Sequence, residues 1–150
     1  MLDNGIIWID TDGKIIAINY QSDSEKNLLE DLIKNEKQEL YISIRNFAKP
    51  VYKIQTKSYL IRIDELKNGS YRYVSWKRGS LESSKPDLIL ENGELDFEGS
   101  GGNSVIVFTN KNYTYKIFSN IIGTEETADV SLLVEKNNNE ILSQDGILLK

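Results

Sequence analysis

Apolar and polar residues alternate along most of the chain, at the two-residue period typical of β-strands with one buried face. At the N-terminal end, the β-branched runs 6–9 and 15–18 flank Thr11-Asp12-Gly13-Lys14. An Asp-Gly turn between two such runs predicts a β-hairpin.

One segment has a different period. Leu28, Leu29, Leu32 and Ile33 recur at helical spacing, and N-cap candidates precede them at 22–24. The sequence therefore predicts one amphipathic helix near residues 24–36.

After the helix, short runs with strand patterning follow one another to the C-terminal end. They cover residues 40–45, 51–54, 59–63, 71–76, 88–90, 94–98, 105–108, 113–118, 130–134 and 140–142. Asn92-Gly93 predicts a hairpin between two of these runs, with Leu95 and Phe97 toward the core and the neighbouring acids toward water.

The number and spacing of these runs predict a mainly β fold, an antiparallel sandwich or barrel of about eleven short strands. A length of 150 residues suits one hydrophobic core. We expect a single β-rich domain over residues 1–150, in which an N-terminal hairpin and helix (1–37) precede the antiparallel strands (38–150).

Two residue types that carry much enzyme chemistry are absent, since the chain contains no cysteine and no histidine. Disulfides, thiolate or histidine metal sites, and Ser-His-Asp or Cys-His catalysis are therefore excluded within this chain. Carboxylate, lysine and tyrosine chemistry remain, but no motif for it is present. The sequence predicts a protein that is not an enzyme and has neither a metal nor a cofactor.

The apolar runs are much shorter than the roughly 20 residues that a membrane-spanning helix needs. The first residues lack the basic and apolar regions of a signal peptide, which predicts a soluble cytoplasmic protein. A periplasmic or secreted protein whose signal peptide has been removed is the alternative.

Charge is distributed unevenly along the chain. Residues 40–81 contain nine basic and two acidic side chains, a net charge of +7, whereas the whole chain carries −5 and the remainder therefore −12. Phe47, Tyr52, Tyr59, Tyr71, Tyr73 and Trp76 lie among the basic residues. This pattern predicts either a basic and aromatic surface that binds a partner, or basic side chains that pair with the acids of residues 82–98.

We expect a non-enzymatic binding module, of the bacterial inhibitor or immunity type, whose basic and aromatic face contacts an acidic protein surface. The predicted contact residues are Lys53, Lys57, Arg72, Trp76, Lys77 and Arg78. For Trp76, burial at a strand end is the usual explanation, and a surface anchor of the binding patch is the alternative. Three other functions are kept open: a carrier of a small ligand or lipid in an apolar barrel cavity, a single-stranded nucleic-acid binder, which the overall acidity disfavours, and an enzyme whose carboxylates converge in a cleft.

Overall fold

The computed structural model describes residues 6–9, 15–19, 23–98, 102–120 and 128–149, and these ranges contain ten β-strands. The strands are β1 (Ile6–Ile9), β2 (Ile15–Asn19), β3 (Lys49–Thr56), β4 (Tyr59–Glu65), β5 (Tyr71–Lys77), β6 (Leu88–Glu98), β7 (Asn103–Asn110), β8 (Tyr113–Ser119), β9 (Val130–Lys136) and β10 (Asn139–Leu148). The predicted mainly β class is confirmed, with a count slightly below the expected eleven.

Strands β3 to β10 form a closed antiparallel barrel, which is one of the two architectures that the sequence predicts. Each strand pairs with the next along the chain, and β10 pairs with β3 to close the ring. The closing seam is short: Gly146, Ile147 and Leu148 face Thr56, Gln55 and Ile54. A Cβ atom at Gly146 would lie 2.6 Å from Cγ2 of Ile54, so this seam needs a residue without a side chain.

Apolar side chains from alternate positions fill the middle of the barrel. Phe108 and Ile61 are fully buried, and the Tyr73 ring lies 5.7 Å from that of Phe108. Eight-stranded barrels are just wide enough inside for side chains to fill them or to hold one small ligand. In this barrel large apolar groups occupy the central layer.

The N-terminal hairpin and the helix lie where the pattern predicts them. β1 pairs antiparallel with β2, while the turn expected at residues 11–14 lies outside the described residues. Helix α1 spans Asp23–Gln38, close to the expected 24–36. Its expected apolar stripe is only partly covered, because Leu28 and Leu32 are about half exposed.

The segment after the helix is not the strand that the alternation of Leu40, Ile42 and Ile44 predicts. It forms a 3₁₀ turn over Ile42–Ile44, in which Ile42 is 72% exposed. Leu40, Ile44 and Phe47 are buried instead, and their spacing of four and three residues is helical. This covering segment (residues 36–48) packs on the outer face of β4 and β5.

Asn92-Gly93 is not the hairpin turn that the sequence predicts, because β6 runs unbroken from Leu88 to Glu98. The pair forms a bulge: Asn92 has a φ of 59°, and the pairing with β5 shifts register at this point. A Cβ atom at Gly93 would lie 2.3 Å from the Phe108 ring, so glycine admits that ring to the barrel centre. Asn-Gly thus bends one long strand instead of joining two.

Candidate functional site

The six predicted contact residues lie on β3, on β5 and in the turns that follow these strands, but they do not share one surface. Arg72 is 3% exposed and Trp76 is 1% exposed. The prediction that these two side chains contact a partner assumed exposure, and this assumption is wrong. Both project from the outer face of β5, which the covering segment buries.

Arg72 belongs to a network of buried charges beneath the covering segment. Its Nη2 atom donates hydrogen bonds to the Ile44 carbonyl at 2.7 Å and to Asp64 Oδ2 at 3.1 Å, and Nη1 donates to the Asn46 carbonyl at 3.1 Å. The guanidinium thus connects the barrel to the backbone of the segment above it. Its role in this structure is to hold that segment in place.

Arg62 completes the network from the neighbouring strand. Its Nε atom donates to both carboxylate oxygens of Asp64 at 2.9 and 3.0 Å, and its Nη2 atom contacts Glu36 of α1 at 2.9 Å. Burial raises the pKa of Asp64, while the charges and hydrogen bonds of Arg62 and Arg72 act in the opposite direction. The pKa of Arg62 is also raised, because Asp64 and Glu36 outweigh the effect of its burial, so its charge is retained.

Trp76 lies in a second buried cluster, outside the barrel, with Leu40, Ile44 and Phe47 among its members. Its Nε1 atom donates to the Ser84 carbonyl at 2.9 Å, which fixes the loop between β5 and β6. Burial at a strand end, the usual explanation for Trp76, is therefore what the structure shows. Most of the aromatic residues in the basic segment (residues 40–81) are likewise unavailable for stacking on a ligand, because they face the barrel interior or this cluster.

Lys53 reaches the surface but is already paired. Its Nζ atom lies 3.0 Å from Glu82 Oε2, and the same carboxylate lies 3.5 Å from Arg62 Nη1 through its other oxygen. Lys49 similarly pairs with Glu65 at 3.1 Å. The interpretation that basic side chains pair with acids is therefore correct for part of the segment, although within the described ion pairs only Glu82 comes from residues 82–98.

The remaining three predicted residues, Lys57, Lys77 and Arg78, form one exposed corner of the barrel, called the basic corner below. The Arg78 backbone N–H donates to the Ser58 carbonyl at 2.9 Å and so ties the end of β5 to the β3–β4 turn. Within the part of the chain that the structure describes, none of the three side chains has an ion pair within 4.0 Å.

Neutral groups orient the Arg78 side chain. The side-chain amide of Gln55 is oriented with its oxygen toward Arg78. In this orientation the oxygen accepts hydrogen bonds from Arg78 Nη2 at 2.8 Å and from Arg78 Nε at 3.0 Å. The Thr56 carbonyl lies 3.5 Å from Nη1. These acceptors fix the guanidinium without neutralising its charge, so that charge faces solvent.

An open cleft of about 460 Å³ adjoins the basic corner at the β3–β10 seam. Lys57 and Arg78 line one part of it, and Asp129 and Asp145 line another. Both signs of charge therefore lie around the cleft.

Several tyrosines face the interior between the middle of the barrel and one of its ends. Burial raises the pKa of Tyr73 well above its usual value, and neighbouring Tyr115 and Tyr59 raise it further against the effect of a hydrogen bond with Ser75. The pKa of Tyr115 is raised by burial and by Tyr59 and Tyr113. The proposed aromatic surface included Tyr59 and Tyr73, but Tyr73 lies opposite Ile63 across the sheet and both rings pack in the barrel core.

Within the described residues, no group of three or more acidic, histidine or cysteine side chains is placed to hold a metal ion. No described helix is long and apolar enough to cross a membrane.

The fold and the site define a class: a closed eight-stranded antiparallel barrel with a covered outer face and a basic corner. Comparison with models of known protein families, with curated proteins and with solved structures finds no match to this chain.

Proposed function

We propose that the chain is a non-enzymatic protein-binding module, of the inhibitor or immunity type, that uses the basic corner to contact an acidic surface of its partner. The observation that carries this proposal is the set of three exposed cations that form no ion pair among the described residues, held on the β3–β4 turn and on the end of β5, which a backbone hydrogen bond connects. Exposed like charges raise the rate of association with a surface of opposite charge, and this effect weakens with salt.

The arrangement of the aromatic residues favours a protein partner over single-stranded nucleic acid. Stacking on bases needs exposed rings beside the cations. Trp76 and Tyr73 are buried, and Tyr59 lies on the interior face beside the corner. The filled central layer of the barrel likewise favours binding on the outer surface over transport of a ligand inside.

The test is capture of partners from a lysate of the source organism by the immobilised chain, quantified by mass spectrometry. A Lys57→Glu/Lys77→Glu variant reverses two charges of the corner, and neither side chain makes a hydrogen bond or ion pair in the described structure that its loss would break. We expect the partner with an acidic surface to be retained about tenfold less, and to be released from the wild-type chain by salt.

The matched control is Lys34→Glu/Lys67→Glu, which makes the same change of net charge on the helix and on the β4–β5 turn. It should capture the partner as well as the wild-type chain does. Equal losses in the two variants would mean that overall charge, and not the basic corner, governs binding. Unchanged capture by the corner variant would refute the proposal.

A further inference from the structure

The far end of β6 extends beyond the neighbouring strand β5. Pairing between these strands ends where Tyr71 faces Gly93, whereas pairing with β7 continues to Glu98 opposite Asn103. Residues 94–98 therefore have a strand on one side, and in the described chain none pairs with them on the other. This segment is called the β6 edge below.

The β4–β5 turn explains why β5 does not continue along this edge. Ser70, the residue before β5, donates its N–H to Asn68 Oδ1 at 2.9 Å, and its carbonyl accepts from the Leu66 N–H at 2.8 Å. Both of these Ser70 groups point toward β4. Gly69, whose backbone would be the next to point toward β6, instead donates its N–H to the Leu66 carbonyl at 3.0 Å within the turn, at a φ of 85°. The chain thus leaves the sheet one residue before it would reach Glu94.

A hydrogen bond at Phe97 shows which backbone groups face the unpaired side. The Phe97 N–H donates to Oδ1 of Asp96, its own neighbour, at 2.9 Å. Backbone groups in an antiparallel strand alternate between the two sides, so the N–H groups of Leu95 and Phe97 point away from β7. The carboxylate of Asp96 occupies a donor that another strand would otherwise bind.

The side chains of the β6 edge alternate between two chemistries. Glu94, Asp96 and Glu98 are exposed on the outer face. Leu95 and Phe97 share the other face with Ile106 and Ser104, yet they are 38% and 67% exposed. The prediction that both would be buried in the core is wrong, because they lie past the end of β5 where the packed layers stop.

We propose that the β6 edge accepts an extended segment of a partner protein in which Lys or Arg alternates with apolar residues, added as an antiparallel strand. Residues directly opposite each other in such a pair share a face, so basic residues would meet the three acids and apolar residues would meet Leu95 and Phe97. When the segment binds, its backbone replaces Asp96 at the Phe97 N–H and frees that carboxylate for an ion pair. This site is separate from the basic corner and does not depend on it.

Charge argues for this occupant over a second copy of the chain. Two β6 edges paired with each other would place acids opposite acids, which destabilises a strand pair. Acidic residues on an exposed edge are also a common protection against self-pairing. A basic segment turns the same charges into an attraction.

The probe is a capped peptide of about six alternating Lys and Val residues, the usual length of one strand, titrated against the full chain by NMR and calorimetry. We expect saturable binding with amide shifts confined to the β6 edge and its neighbours. The matched peptides carry N-methyl groups either on the Val amides, which face β6 in the proposed pairing, or on the Lys amides, which face away. Only Val methylation should abolish binding.

Two variants test the protein side. Phe97→Pro removes the N–H on the unpaired side, where proline is tolerated, and should abolish binding, whereas Phe97→Ala keeps the N–H and should retain part of it. Glu94→Gln/Asp96→Asn/Glu98→Gln should weaken binding about tenfold. Lys57→Glu/Lys77→Glu should leave it unchanged, which separates this site from the basic corner.

Several results would overturn the proposal: equal binding of the two N-methylated peptides, shifts away from residues 94–98, or no effect of Phe97→Pro in a variant with unchanged circular dichroism. If Phe97→Pro does not fold, the peptide comparison decides alone. Self-association of the wild-type chain that Phe97→Pro abolishes would assign the edge to a second copy and would also contradict the proposal.

Discussion

The outer face of β4 and β5 and the basic corner contain similar side chains in very different surroundings. On the outer face, Arg62 and Arg72 are 2% and 3% exposed and bind Asp64 between them. At the corner, Lys77 ends strand β5 and Arg78 follows it, and neither side chain forms an ion pair with a described acid; the Asp87 carboxylate accepts a hydrogen bond from the Lys77 backbone N–H only, at 3.0 Å. A few positions along one strand therefore separate a structural cation from one that is available to a partner.

The difference comes from what covers each position. The covering segment provides carbonyl groups and Glu36 to the arginines, and the β5–β6 loop provides Glu82. An arginine retains its charge in such a place because several acceptors replace the water that it loses. The corner lies past the end of that cover, so its charges remain hydrated. Local exposure, and not the count of basic residues, distinguishes the two roles.

The largest effect that should separate the two regions follows from Arg72→Ala. This change removes the donors to Asp64 and to two backbone carbonyls of the covering segment, and it leaves a buried carboxylate with Arg62 alone. We expect a loss of about 3–5 kcal/mol in the free energy of unfolding, measured by urea denaturation. Arg78→Ala, the same substitution at the corner, should change it by less than about 1 kcal/mol. Similar losses of unfolding free energy in the two variants would contradict the distinction between the structural Arg72 and the exposed Arg78.

A smaller effect is expected from Trp76→Phe. The ring remains apolar, but the Ser84 carbonyl loses the donor that lies at 2.9 Å, and the buried cluster loses volume. We expect the unfolding free energy to fall by about 1–3 kcal/mol. The adjacent substitution Lys77→Ala, on an exposed side chain, should alter it by no more than about 0.5 kcal/mol. Unchanged stability in Trp76→Phe would argue against the contact with the β5–β6 loop.

Much of the fold follows from sequence because hairpins are local. The strands on either side of residues 111–112 and of 137–138 pair as their patterns predict, with Lys111 and Asn137 at positive φ in the turns. The two errors in secondary structure have tertiary causes. Residues 40–44 alternate like a strand but follow the outer surface of the barrel, and Asn92-Gly93 bends around the Phe108 ring in place of a turn.

Less of the candidate site could be predicted. The basic segment alternates apolar and charged residues, which is typical of a strand with one face in water, and nothing local shows that residues 36–48 will cover that face. The pattern Arg62-Ile63-Asp64 does place opposite charges on one side of β4, and Arg72 lies directly opposite Asp64 across the sheet. Opposite charges at such cross-strand positions are the signal that could have indicated a paired, buried Arg72.

Arginine-selective labelling tests the distinction between the two regions most directly. The native chain would be treated briefly with phenylglyoxal, digested and analysed by mass spectrometry for its four arginines. We expect rapid modification of Arg78, whose side chain is exposed, and protection of Arg62 and Arg72 until the chain is unfolded in urea. Rapid labelling of Arg72 in the native chain, at a rate similar to that of Arg78, would contradict the covered outer face and the assignment of the basic corner that depends on it.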